Sequence, residues 1–156
     1  MTVTKNILLV EDNPDDAELA VRAFRSGDTG QEIQVATDGV EAMEALFGST
    51  TSPPPRQLPS LVLLDLKLPR LDGFEVLSRI RSHPRTRFMP VVILTSSTEV
   101  SDLVAGYRLG ANSYVRKPMS YRDFIVAAKL ITDYWLALNE LPPAGLAERA
   151  EVQGRI

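Results

Sequence analysis

The chain has 156 residues, 44% of them hydrophobic and 24% charged, which fits one ordinary soluble domain able to bury a core without disulfides or structural metal. Cysteine is absent and His83 is the one histidine, so thiol catalysis, cysteine-held zinc or iron–sulfur groups and any two-histidine site are excluded. The net charge of −3, from 17 basic and 20 acidic residues, argues against a nucleic-acid binder, and no apolar run approaches the ~20 residues of a membrane span.

The start, MTVTKNILLVEDN, has neither a basic n-region nor a small-residue cleavage site, so it reads as the first strand of a cytoplasmic protein rather than a signal peptide. Asn6–Val10 (NILLV) is that strand. Pro14 suits the first turn of a helix running to about Ser26, capped by Asp12 or Asn13. Ile33–Ala36 is a short second strand. Asp38 and Glu41 have capping-box spacing and open a second helix. Gly48–Pro59 (GSTTSPPPRQLP) is rich in Ser, Thr and Pro and reads as an exposed, extended loop. Leu61–Leu64 is an all-apolar third strand.

Asp72 and Glu75 repeat the capping-box spacing, and Phe74, Val76, Leu77 and Ile80 share one helical face. Val91–Leu94 is the fourth strand. Ser97 or Thr98 caps a helix that ends near Gly110. Ser113–Val115 is the fifth strand. Ser120 opens the last helix, with Phe124, Ala127, Ala128, Ile131 and Trp135 on one side. Strand and helix alternate five times, and the central strands are apolar throughout, as in a parallel sheet covered on both faces. The expected fold is α/β, a doubly wound five-stranded parallel sheet, flavodoxin-like, in the order 2-1-3-4-5.

Ligands of such sheets bind beyond the carboxyl ends of the strands, where strand order reverses. Strand 1 ends in Glu11 and Asp12, and its neighbour, strand 3, ends in Asp65. Three acids so close repel one another unless one keeps a proton or a cation sits among them. Oxygen donors without histidine or cysteine suit Mg²⁺, with Mn²⁺ as the alternative. Thr95 ends strand 4, and Lys117-Pro118 follows strand 5. A hydroxyl and an ammonium beside a cation make a site for a phosphoryl group. Lys117 paired with Asp65 alone would be a structural ion pair. The Lys117-Pro118 bond is a candidate cis peptide, although most such bonds are trans.

These residues carry a resemblance. Glu11-Asp12, Asp65, Leu68-Pro69, Asp72-Gly73, Thr95 and Lys117-Pro118 stand in the order and context of the receiver domain of two-component response regulators, over about Lys5 to Trp135. The resemblance implies that Asp65 accepts the phosphoryl group. It implies that Glu11, Asp12, Asp65 and the Lys67 backbone carbonyl hold Mg²⁺. It implies that Lys117 and the Ser96 backbone contact phosphoryl oxygens, that Thr95 is the switch hydroxyl, and that Tyr114 is the switch aromatic. Tyr114 reads equally well as an edge-of-core tyrosine. Such a protein is a phosphoacceptor rather than a turnover enzyme.

Residues 1–137 would form the receiver, with the proline-rich loop at 48–59, and residues 138–156 a C-terminal extension without an output domain. The long loop and the ending Tyr134-Trp135-Leu136 resemble small regulators paired with phytochrome histidine kinases, so the expected partner is a sensor histidine kinase of that type. A homodimer through the fourth helix, fifth strand and fifth helix is also expected, with Tyr134, Trp135 and Leu138 near the end of that helix. Neither nucleic acid nor membrane is expected as a partner. Competing readings are a phosphorelay intermediate that passes the group to another histidine, an inactive receiver-like interaction module, an aspartyl-nucleophile phosphatase and a flavin module. The last two fit poorly, because the acids after strand 1 lack the phosphatase spacing and would repel a flavin phosphate.

Overall fold

The computed structural model describes residues 5–26 and 30–143. The part of the expected C-terminal extension from 144 onward lies outside the described residues. The chain runs β1 (Asn6–Val10), α1 (Pro14–Arg25), β2 (Glu32–Ala36), α2 (Gly39–Phe47), β3 (Leu61–Leu64), α3 (Gly73–Ser82), β4 (Val91–Thr95), α4 (Val100–Arg108), β5 (Ser113–Arg116) and α5 (Tyr121–Thr132). All strand pairs are parallel and the order is β2-β1-β3-β4-β5. The doubly wound sheet expected from the alternation is the one that forms.

Successive strand residues point to opposite faces, so each apolar strand feeds two cores. Leu8, Val10, Val62, Leu64 and Ile93 pack with Ala42, Leu46, Val76, Leu77 and Ile80 of α2 and α3. Ile7, Leu9, Leu61, Leu63, Val92 and Leu94 pack with Ala20, Ala23 and Phe24 of α1 and Phe124, Ala128 and Ile131 of α5. Each fully buried Leu, Ile or Val contributes about 1.5–3 kcal/mol relative to exposure, so the central strands dominate stability.

The caps decide where the helices begin. Asn13, not Asp12, caps α1, accepting the Asp15 and Asp16 N–H groups at 2.9 and 3.1 Å. Asp12 is thereby left free of the capping role. Asp38, Asp72 and Ser120 cap α2, α3 and α5 by accepting the N–H three residues on. The fourth helix departs from expectation. Its cap is Glu99, without a side-chain bond, rather than Ser97 or Thr98. The Ser97 hydroxyl is engaged elsewhere: it accepts the Glu99 N–H and donates to Asp102 at 2.6 Å, so the helix starts later. Gly110, at φ 99°, follows its end as expected.

The last helix does not stop at Thr132. It continues as a π-helical turn over Asp133–Leu138, closed by the Asn139 N–H to the Tyr134 carbonyl at 2.6 Å. This turn buries Leu136 and half-buries Trp135 against the α1/α5 core, and it leaves Tyr134 and Leu138 exposed. The Lys5 ammonium donates to the Leu136 carbonyl and ties the turn to the start of β1.

One close approach bears on the strand ends. A Cβ on Gly73 would lie 2.2 Å from the Asp65 carbonyl oxygen and 2.7 Å from the Leu66 Cα. Both are backbone atoms and cannot move aside independently. Gly73→Ala is therefore expected to cost about 2–3 kcal/mol, read as a lower midpoint in thermal or urea unfolding. An unchanged midpoint would show that α3 is free to shift.

Candidate phosphoacceptor site

The ladder places the acids. The Glu11 N–H donates to the Ala36 carbonyl at 2.9 Å, and the Asp65 N–H donates to the Val10 carbonyl at 3.0 Å. Both residues thus continue their strands by one position, and their side chains emerge together above the β1/β3 junction. Glu11 and Asp65 are buried, whereas Asp12 is exposed. One carboxylate oxygen from each of Glu11, Asp12 and Asp65 lies within 4.8 Å of the others. The Asp65 carboxylate is also fixed by the backbone, because Oδ1 accepts the Leu66 N–H at 2.7 Å.

Lys117 is brought to the same place from the opposite side. Its N–H donates to the Thr95 carbonyl at 2.8 Å, which fixes its backbone beside β4. Its ammonium donates to Asp65 Oδ2 at 3.0 Å, to Asp16 Oδ2 at 3.2 Å and to Glu11 Oε1. An ammonium has three protons, and here three carboxylates take them. Lys117 is therefore the shared counter-ion of an acid cluster, not the partner of Asp65 alone. Among the described residues no peptide is cis, so the Lys117-Pro118 bond is trans, the form favoured by about 0.5–1 kcal/mol.

Asp16 is a member that the sequence reading missed. Its signal was the acid-rich first turn of α1, where Asp15 and Asp16 favour the helix N-terminus in any case. That general explanation hides the specific one.

The remaining residues sit around this cluster. Thr95 is buried, and its hydroxyl accepts the Ser97 N–H at 3.3 Å. Ser96 is exposed at the tip of β4. Lys67 is exposed on the β3–α3 loop. Tyr114 lies deeper, half-buried against the α2/α3 core and beside Gly106 of α4, and its hydroxyl is buried without a hydrogen-bond partner among the described residues.

The charges are out of balance. Burial pushes the Glu11 carboxyl up to about 7; the Lys117 hydrogen bond opposes this and the Asp65 charge reinforces it. For Lys117 burial acts downward, but Glu11 and Asp65 outweigh it and hold its pKa above the ordinary lysine value. One ammonium thus does not satisfy the carboxylates, and the oxygen-only donor set of Glu11, Asp12 and Asp65 fits a hard divalent cation.

The raised Glu11 pKa has a pH signature. Its proton favours the folded state, and that contribution is complete below the ordinary glutamate value of 4.5 and lost as pH rises through about 7. A divalent cation among the acids would replace the lost proton. Added Mg²⁺ should therefore raise the melting temperature more at pH 8 than at pH 5.5. Equal increments at the two pH values would contradict this account of Glu11.

Comparison with known proteins identifies a family for the chain. The family model described as the response regulator receiver domain matches residues 7–129. The probable methanogenesis regulatory protein FilR2 of Methanothrix harundinacea is 46% identical over 87% of this chain and 86% of its own length. The response regulator Rcp1 of Synechocystis sp. is 37% identical over 90% of this chain and 95% of its own. The solved Mn(2+)-bound form of response regulator Rcp1 matches with a TM-score of 0.79 at 36% identity, covering 89% of this chain and 99% of that one. The phosphorylated cyanobacterial phytochrome response regulator RcpA matches with a TM-score of 0.79 at 35% identity, covering 90% of this chain and 100% of that one. The matched segment takes in β1 from Ile7 onward, the other four strands and the acid cluster above them, so the chain belongs to the response regulator receiver domain family.

Proposed function

We propose that this receiver accepts a phosphoryl group on Asp65 from a sensor histidine kinase and signals through the resulting change in shape. The observation that carries the reading is the Lys117 ammonium, 3.0 Å from Asp65 Oδ2, inside a cluster that also holds Glu11 and Asp12. The Asp65 carboxylate supplies the attacking oxygen, with Oδ1 accepting from the Leu66 N–H and Oδ2 from the Lys117 ammonium. Mg²⁺ held by Glu11, Asp12, Asp65 and the Lys67 carbonyl would supply positive charge to the phosphoryl oxygens. Lys117 adds a second positive charge from the opposite side. The bound group carries about −1.5 to −2 charge and three acceptor oxygens. Those oxygens would accept from the Thr95 hydroxyl and the Ser96 N–H. Movement of Thr95 would change the space around Tyr114 and α4, the two-state element that phosphorylation biases. The chain thus serves as a phosphoacceptor rather than a turnover enzyme.

Intact-protein mass after incubation with acetyl phosphate, with and without Mg²⁺, tests the reading. One Mg²⁺-dependent phosphoryl adduct is expected; no adduct on the folded protein in a rapid-quench series would leave a module that acts by contact alone.

The upstream donor we propose is a phytochrome-type histidine kinase, on the strength of the likeness to Rcp1 and RcpA. The output is proposed to be a homodimer through α4, β5 and α5. Val126, Leu130 and Tyr134 are exposed at four-residue spacing along α5 and its π-turn, and Val104 and Tyr107 are exposed on α4. Leu130→Lys should shift the protein toward the monomer in light scattering, and a wild-type protein that is monomeric in both phosphorylation states would overturn the dimer.

A further inference from the structure

Arg70 lies five residues beyond the acceptor, on the β3–α3 loop, with φ 64°. It is the one non-glycine residue with positive φ among the described residues. An L side chain adopts that conformation rarely unless its surroundings impose it. Two contacts hold it: the Leu71 N–H donates to the Pro69 carbonyl at 2.7 Å, closing a tight turn around Arg70, and the guanidinium Nε and Nη2 each lie 2.8 Å from Asp38 Oδ2.

Asp38 has a second task. Its Oδ1 accepts the Glu41 N–H at 2.8 Å and caps α2. One carboxylate therefore joins the first turn of α2 to the loop beyond Asp65. A backbone contact runs alongside: a Cβ on Gly39 would lie 1.9 Å from the Leu71 carbonyl oxygen. At the end of the loop, the Gly73 N–H donates to the Leu66 carbonyl at 2.9 Å. The loop is thus closed at its base by Leu66 and Gly73 and tied at its tip by Arg70. Lys67 lies between these two ties.

We propose that Arg70 and Asp38 are positioning residues, a latch that holds the β3–α3 loop, and with it the Lys67 carbonyl, ready for the divalent cation. This rests on the metal-dependent phosphoacceptor reading above. A backbone ligand on a loose loop must be ordered at the moment of binding, and that ordering weakens affinity. A loop already held by a two-pronged ion pair avoids the cost.

Charge alone predicts something different, and the two can be separated. Acting only through space, Arg70→Gln would remove a positive charge and tighten Mg²⁺, whereas Asp38→Asn would remove a negative charge and weaken it. Loss of a latch weakens Mg²⁺ in both variants. The experiment is calorimetric titration of the wild type, Arg70→Gln and Asp38→Asn with Mg²⁺ alone, with melting temperatures in chelator as the check on folding. Asn retains the capping ability of Asp, and Arg70 is 57% exposed, so both variants keep the fold. The expected result is a loss of about two- to fivefold in Mg²⁺ affinity for both, the size an exposed ion pair supports. Arg70→Lys should recover part of the loss. Arg70→Gln binding Mg²⁺ as tightly as the wild type, or more tightly, would overturn the latch. A wild type that takes up no Mg²⁺ would overturn the metal reading and the latch with it.

Discussion

Asp65→Asn is expected to take up no phosphoryl group from acetyl phosphate under conditions in which the wild type gains one. The reason is chemical. An ionised carboxylate oxygen attacks phosphorus with a free lone pair and one negative charge, and a neutral amide offers neither. The change is nearly isosteric, so the rest of the site should persist. The Leu66 N–H still finds an oxygen at 2.7 Å if the amide keeps its carbonyl on that side. Lys117 retains Glu11 and Asp16. The variant should therefore melt close to the wild type, which separates loss of the acceptor from loss of the fold. Intact mass is the measurement. A normal adduct on folded Asp65→Asn would place the acceptor on another residue, and Asp12, the exposed acid of the cluster, would be the next to test.

Lys117→Ala is expected to impair both the chemistry and the fold. Removing one donor to a developing phosphoryl charge typically slows such chemistry by about 10²–10³-fold, which a time course of labelling with acetyl phosphate would read. The fold also suffers. Lys117 is 10% exposed and Glu11 3%, so its loss strands buried carboxylates beside one another. Breaking a buried pair by deleting one partner costs about 3–5 kcal/mol when the remaining charge stays uncompensated. Here the compensation depends on pH. Protonation of Glu11, already favoured at about 7 in the intact cluster, shifts upward when its lysine is gone. The variant should be close to the wild type in stability at pH 5.5, clearly weaker at pH 8, and restored in part by Mg²⁺. A loss independent of both pH and Mg²⁺ would mean that Lys117 supports the fold by packing rather than by charge.

The strands were legible because parallel strands buried on both faces leave continuous apolar runs, such as Leu61–Leu64 and Val91–Leu94, and their order followed from the alternation of five strands with five helices. Helix starts were legible where a cap is local: Asp38, Asp72 and Ser120 each bond an amide three residues ahead. The start of α4 was not, because the Ser97 hydroxyl had competing local partners in Glu99 and Asp102. The π-helical turn after α5 was also hidden. Its register follows from burying Leu136 under α1 and α5 and from the Lys5 ammonium, which is 131 positions away in the chain.

The candidate site divides in the same way. Glu11, Asp12, Asp65, Thr95 and Lys117 could be singled out from the chain because each stands at or just beyond the end of an apolar strand, and in a parallel sheet those ends share one edge. The sequence alone was sufficient to determine the fold class, which follows from local pattern, and to limit the candidate ligands to oxygen donors, which follows from the absence of cysteine and of a second histidine. Tertiary structure decided which acids share the lysine. Asp16 joins Lys117 across 101 positions, and Asp38 holds Arg70 across 32. It also decided that Gly39 and Gly73 have no room for a side chain. Such contacts depend on how helices pack against the sheet. Packing distances are set by all the core residues together and leave no periodic trace at the two positions that meet.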